Sequence, residues 1–225
     1  MQITFLGHSA FSLHDGEATV LIDPFLTGNP MGAASADEVA ADAILLTHGH
    51  VDHFGDTVAI AKRTGAPVQA LVEIANEIAE EGVEVIDTNF GGTAVFPWGS
   101  SRAVPAMHTS TTPKGTVTPA GGLVIEIGGK RIYHLGDTAL FSDLALPGQR
   151  AKIDIAIVPI GGHYTMDRHD AVVAAALVGA DVVIPCHYDT FPPIQADAAA
   201  FKADVEEAGH AQVVVLAPGE SYDAG

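Results

Sequence analysis

Three histidines and an aspartate stand within six residues, in His48-Gly49-His50-Val51-Asp52-His53. Neutral imidazole and carboxylate are ordinary ligands of divalent transition metals, and four of them this close together converge readily on one or two ions. A lone histidine is usually a core or surface residue with a hydrogen-bond partner, but four potential ligands in this order are hard to explain by hydrogen bonding alone. Zinc can lower the pKa of a bound water from 15.7 to about 7, so such a cluster supports hydrolysis without a protein nucleophile. The single cysteine, Cys186, reads as a small buried residue rather than a nucleophile.

The cluster must be held by regular structure. It directly follows the apolar run Ala43-Ile44-Leu45-Leu46, a buried strand that ends in a loop. Clefts beyond the carboxyl ends of strands are where α/β proteins usually place ligands. Upstream, residues 2–6 and 18–22 read as strands, with Asp15-Gly16 supplying hairpin chemistry between them. The second ends at Asp23-Pro24, where proline stops further pairing. His8 follows the first strand as the cluster follows its own, so it either lines the same cleft or is structural. A helical turn over 36–41 leads into strand 43–46. Asp56 is positioned to cap a helix over 57–63, which Gly65 and Pro67 end. Strand 67–71, helix 73–80 and strand 83–86 follow.

From about residue 90 the pattern turns to strands and glycine. Segments 93–96, 102–105, 123–127 and 131–133 suit a second, antiparallel sheet, with Gly128-Gly129 as a turn. His108 opens a threonine- and proline-rich stretch, Thr109 to Pro119, that reads as a loop suited to substrate contacts. Lys114 within it is either a contact for an anionic substrate or a solvated loop lysine. A helix near 139–146, strand 153–158, helix 167–178 and strand 181–185 complete a second αβ half. His134 reads as a strand residue. In Gly161-Gly162-His163-Tyr164 the paired glycines allow close approach of a ligand. His163 is therefore a candidate catalytic donor or an extra ligand, or else a loop histidine that caps the next helix. His14, His169 and His210 have no such context and read as surface residues.

Thr47-His48-Gly49-His50-Val51-Asp52-His53 resembles the His-x-His-x-Asp-His signature of the metallo-β-lactamase superfamily. The resemblance extends in order to His108, to Asp137 in His134-Leu135-Gly136-Asp137-Thr138, and to His187 in Ile184-Pro185-Cys186-His187-Tyr188. Gly7-His8-Ser9, Ile22-Asp23-Pro24-Phe25, Gly161 to Met166 and His187 to Pro192 are similar to its ascorbate-6-phosphate-lactonase-like branch, within a compact group of poorly characterised metal-dependent hydrolases. It implies an α+β fold, a four-layer αββα sandwich with the metals between two sheets. It also implies two divalent ions, usually zinc, with manganese or iron as alternatives. His48, His50 and His108 would bind the first, and Asp52, His53 and His187 the second. Asp137 would bridge them, a place for carboxylate because an imidazole nitrogen binds only one ion. Asp23 would support the histidine loop from behind the ligands. The implied activity is hydrolysis by a metal-bridged hydroxide, with Asp52 and His163 as its catalytic residues. The electrophile is open among a lactone, an ester or thioester, an amide and a phosphodiester.

The same resemblance discriminates by absence. Di-iron relatives carry glutamate where this chain has Gly49, and sulfur dioxygenase relatives lack part of the second site, whereas Asp52 and His187 are both present. Nuclease relatives add RNA-binding regions and basic surface. A non-catalytic metal-binding or metal-sensing protein is the alternative from another class. Structural zinc sites are typically closed, cysteine-rich cages, and one cysteine cannot build one.

Composition sets the outer bounds. The chain has 225 residues, enough for a substantial core, and no linker divides it, so residues 1–225 are expected to form one domain. Hydrophobic residues make up 48% and charged ones 17%, which argues against disorder. Its 28 acidic and 10 basic residues give a net charge of −18, a poor match for nucleic acid. No apolar run approaches a membrane span, and residues 1–7 read as a strand rather than a signal peptide. A lone cysteine fits a reducing cytoplasm. A small-molecule substrate, no membrane partner and a homo-oligomer, common among similar proteins, complete the expectation.

Overall fold

The protein is described by a computed structural model covering residues 1–225. Side chains alternate across a strand with period two, and that alternation assembles the layers. In β1 (Gln2–Gly7), Ile3 and Phe5 face one core while Leu6 faces another. β2 (Ala10–His14) and β3 (Thr19–Ile22) repeat the pattern, with Val20 and Ile22 inward and Leu21 outward. β4 (Ala43–Leu45) puts Ala43 and Leu45 between the sheets and Ile44 against helices. Strands covered on both faces are nearly continuously apolar, as here.

Two short helices follow β4: α1 (Val51–Phe54) and α2 (Thr57–Thr64). Then come β5 (Val68–Leu71), α3 (Val72–Glu80) and β6 (Val85–Thr88). β7 (Thr93–Phe96), β8 (Gly99–Thr111), β9 (Val117–Ile127) and β10 (Lys130–His134) form an antiparallel run. α4 (Leu146–Arg150), β11 (Ile155–Pro159), α5 (Arg168–Val178), β12 (Val182–Cys186), α6 (Ala198–Glu207), β13 (Gln212–Val213) and β14 (Ser221–Asp223) complete the chain.

The first sheet runs β14-β1-β2-β3-β4-β5-β6 and the second β13-β12-β11-β10-β9-β8-β7. Each is antiparallel over part of its width and parallel over the rest. One apolar core lies between the sheets; α2 and α3 cover the outer face of the first, and α5 and α6 that of the second. The αββα layering is as the sequence implies.

The four segments expected to pair antiparallel do so, and β11, β12 and β13 extend that sheet in parallel from β10. Several local expectations are corrected. Thr109–Pro119 is not a loop: Thr109 pairs with Pro119, Ser110 with Thr118 and Thr111 with Val117. β-Branched threonines suit a pleated strand, and they outweigh the proline. The helical turn expected over 36–41 is a single one, closed by the Val39 N–H on the Ser35 carbonyl at 2.9 Å, and 139–146 resolves into a 3-10 turn, Ser142–Ala145, before α4. Asp56 precedes α2 but makes no cap bond, since its Oδ2 accepts from the backbone N–H groups of Leu26 and Thr27 at 2.9 and 2.7 Å. No helix is long and apolar enough to cross a membrane.

Candidate metal centre

The site gathers at the carboxyl ends of parallel strands, from both sheets. Asp23 follows β3, His48 and His50 follow β4 and lead into α1, which carries Asp52 and His53, Asp137 follows β10, and His187 follows β12. His108 arrives differently. The β8–β9 register shifts between Pro105 and Thr109, and this bulge carries His108. His8 lies in the tight turn between β1 and β2. His8, Asp23 and His187 all have left-handed backbones, with φ of 59°, 44° and 54°. Such conformations concentrate where structure must aim a side chain at cost.

These placements produce two groups of four whose ligand atoms lie within 4.8 Å of one another, His48, His50, His108 and Asp137, and His8, Asp52, His53 and His187, and a third, Asp23 with His48 and His53, that overlaps both. Asp137 stands between the first two. Its Oδ2 is 3.5 Å from His108 Nε2, 3.9 Å from His48 Nε2 and 3.1 Å from His187 Nε2, while Oδ1 is 3.2 Å from His53 Nε2. His48 Nε2 and His50 Nδ1 are 3.1 Å apart. Ligand atoms held at roughly 2.0–2.1 Å on one tetrahedral ion stand about 3.3 Å apart, close to this spacing. His53 Nε2 and Asp137 Oδ1 are buried, near each other and without a hydrogen-bond partner. Buried polar atoms are rarely left so. The donor set therefore fits divalent metal.

The charges favour it too. Burial, chiefly, pushes His48, His50 and His108 below the usual imidazole range, leaving neutral rings with lone pairs to offer. Burial works to raise the Asp137 carboxyl, but the His187 and His53 rings overrule it and hold it well below its ordinary value. His53 is the exception. Burial pulls it down, yet Asp137 and Asp23 on either side raise it well above the usual range. An incoming ion therefore competes with a proton at His53. Metal affinity at His53 is then expected to rise with pH, about tenfold per unit while His53 stays protonated in the metal-free protein. Metal titrations at several pH values check this; a flat profile would contradict it.

Behind the ligands, Asp23 is spent on support. Thr47 donates to it through the backbone N–H (2.8 Å) and the hydroxyl (2.6 Å), and His53 Nδ1 sits 2.8 Å from its Oδ2. That contact presents His53 Nε2 to the cleft. His8 is fully buried, brought down to about 4 chiefly by burial, with Nδ1 2.9 Å from Thr190 Oγ1 and Nε2 3.2 Å from Asp52 Oδ2. Gly49 donates its N–H to Ser110 Oγ at 2.9 Å, and a Cβ there would meet Thr112 Cγ2 at 2.9 Å, so a side chain at this position requires Thr112 to shift.

A cleft of about 240 Å³ opens onto His50, Asp52, His108, Thr109, Asp137, Tyr164 and His187. His163 is exposed and not among the residues lining it; its neighbour Tyr164, 55% exposed, stands at the mouth instead. His134 is buried, accepting from Gly136 N–H and lying 3.3 Å from the Ser9 carbonyl, a structural role. Lys114 pairs with Glu80 and Glu81, and Cys186 is buried with its thiol raised by burial. His14, His169 and His210 are exposed. Thr190 and Ser110, which brace the site, are contributed from afar and had no local signal. Tyr164 lay next to the residue the sequence singled out.

A model of the β-lactamase superfamily domain matches residues 2–187. A UPF0173 metal-dependent hydrolase of Symbiobacterium thermophilum is 50% identical over 225 residues, covering 99% of both chains. Another from Thermus thermophilus is 48% identical over 221 residues, covering 98% of this chain and 97% of its own. The solved structure of Igni18, a metallo hydrolase from the archaeon Ignicoccus hospitalis, superposes with a TM-score of 0.90 at 37% identity, covering 100% of this chain and 99% of its own.

Proposed function

Given that the chain belongs to the metallo-β-lactamase superfamily and is a metal-dependent hydrolase related to the UPF0173 proteins, we propose that it is a binuclear enzyme cleaving a small-molecule lactone, ester or phosphodiester. The observation that carries this is Asp137, whose two oxygens face imidazole nitrogens of both groups, one of them without a hydrogen-bond partner. His48, His50 and His108 would hold one divalent ion, Asp52, His53 and His187 the other, and Asp137 both. Zinc is the first candidate, with manganese or iron as alternatives. Such ions supply an activated water at neutral pH and polarise the electrophile.

The chain's own residues do the positioning. Asp23 orients His53, and His8 holds Asp52 by the 3.2 Å contact. Loss of such outer partners typically costs 10–100-fold in metal affinity or activity. Tyr164 and Thr109 flank the opening, where a substrate must pass. The cleft, about 240 Å³, suits a small molecule, and the net charge of −18 disfavours a nuclease. Thr112 and Ser110 crowd the space that the glutamate of di-iron relatives would need at position 49. A cleft open on one side favours catalysis over a closed structural or sensing site. The ligands come from both sheets, which supports residues 1–225 acting as one domain. A cytoplasmic location and homo-oligomer formation belong to the same proposal.

The test is turnover of lactone, thioester and phosphodiester substrates by the metal-loaded protein before and after chelation. Turnover lost on chelation and restored by metal is expected. No turnover of any of them at full loading would favour a metal-sensing role. On whichever substrate reacts, Tyr164→Ala is expected to raise KM severalfold and change kcat little, because Tyr164 stands at the mouth and makes no hydrogen bond or ring contact to a proposed ligand. An equal fall in kcat would contradict that placement.

A further inference from the structure

A second cavity, of about 270 Å³, shares no lining residue with the metal cleft. It lies where β8, β9 and β10 meet the β6–β7 connection and α4. Three of the chain's five arginines line it: Arg102, Arg131 and Arg150. In a protein with 28 acidic and 10 basic residues, arginines are expected to find carboxylates. Arg131 does, donating from Nη1 to Glu126 at 2.7 Å, yet its Nε is buried without an acceptor. Arg102 and Arg150 make no side-chain ion pair or hydrogen bond, although one carboxylate, Asp143, also lines the cavity. Tyr133, 1% exposed, lines it as well. Phe90, Phe141 and Leu146 supply an apolar wall.

One buried donor, Arg131 Nε, has no acceptor, and half-buried Arg102 and exposed Arg150 bring two more unpaired guanidinium groups to the same cavity, an arrangement that suits an acceptor there. Guanidinium groups match carboxylate and phosphate oxygens in pairs. We propose that this cavity binds a small organic anion, a carboxylate or phosphate carried on an apolar or aromatic body. Arg102, Arg150 and Tyr133 take the oxyanion and the phenylalanines take the body. The site does not depend on the metal-centre assignment. Its walls nevertheless continue into that centre: Pro105 immediately precedes the bulge that carries His108, and Phe141 follows Asp137 by four residues.

Calorimetry with phenyl phosphate on the metal-loaded protein tests this, with inorganic phosphate and phenol as single-feature controls. Phenyl phosphate is expected to bind more tightly than either control. Arg102→Ala/Arg150→Ala is expected to weaken it roughly tenfold or more, and Tyr133→Phe by a smaller factor. Asp137→Ala, which alters only the metal centre, is expected to leave this binding in place. Binding lost in Asp137→Ala and unchanged in the arginine variant would assign the ligand to the metals and overturn the proposal. So would no binding at millimolar ligand, or an arginine variant whose only change is its oligomeric state. Tyr133→Phe, which keeps the ring and its packing, guards against a loss caused merely by misfolding.

Discussion

Asp137→Ala is expected to abolish hydrolysis, with a loss of roughly a thousandfold or more, and to leave the protein unable to retain its full metal complement. Its carboxylate is shared by both groups: its oxygens lie 3.1–3.9 Å from nitrogens of His48 and His108 on one side and His53 and His187 on the other. Its carboxylate is buried, and only neighbouring imidazoles keep it ionised there. Alanine removes the only anion in the first group, leaving three mutually close rings that burial has made neutral. The fold itself should persist, because the strands on either side are held by their own ladders. Circular dichroism with metal analysis separates the outcomes. Full metal loading with wild-type activity in this variant would contradict the assignment.

Asp23→Ala acts through the fold. Asp23 accepts from the Thr47 N–H and hydroxyl and adjoins His53 Nδ1, all in a fully buried environment. Removing one partner of such a buried pair costs about 3–5 kcal/mol, because the remaining donors have neither water nor acceptor. Denaturant unfolding of the metal-free protein should show that loss as an earlier midpoint. In Asp23→Asn the side chain keeps its shape and one acceptor, so most of the stability should remain. His53 then loses its anionic partner, and metal affinity is expected to fall about 10–100-fold. A metal-free midpoint unchanged in Asp23→Ala would mean that water replaces the carboxylate, and would remove Asp23 from its supporting role.

The contrast between these two aspartates marks what the sequence could reveal. The histidine cluster was legible because its ligand types are dense and local, and the strand before it is unbroken apolar sequence. Most strands and helices of the αββα layering were legible because apolar runs survive in one dimension, while their stacking into four layers rested also on the superfamily resemblance. β2 was not, because Ala10–His14 is short and follows a turn that depends on left-handed backbone at Gly7 and His8. α6 lay in an alanine-rich segment with no site residues to draw attention, and its cap, Asp197, bonds only the Ala200 N–H. Asp56 looked like a helix cap because its real partners, Leu26 and Thr27, are distant in sequence. The His8–Thr190 contact spans 182 positions and leaves no local trace. At Gly162-His163-Tyr164 the residue type pointed to histidine. There, left-handed backbone at Gly162 and His163 accompanies a tyrosine that lines the cleft beside an exposed histidine.

Metal content per chain, measured by plasma mass spectrometry on protein saturated with zinc and freed of excess, bears most directly on the binuclear assignment. Two equivalents in the native chain, falling to one or fewer in His187→Ala, are predicted. One equivalent or less in the native chain at saturation would contradict a binuclear centre built on Asp137.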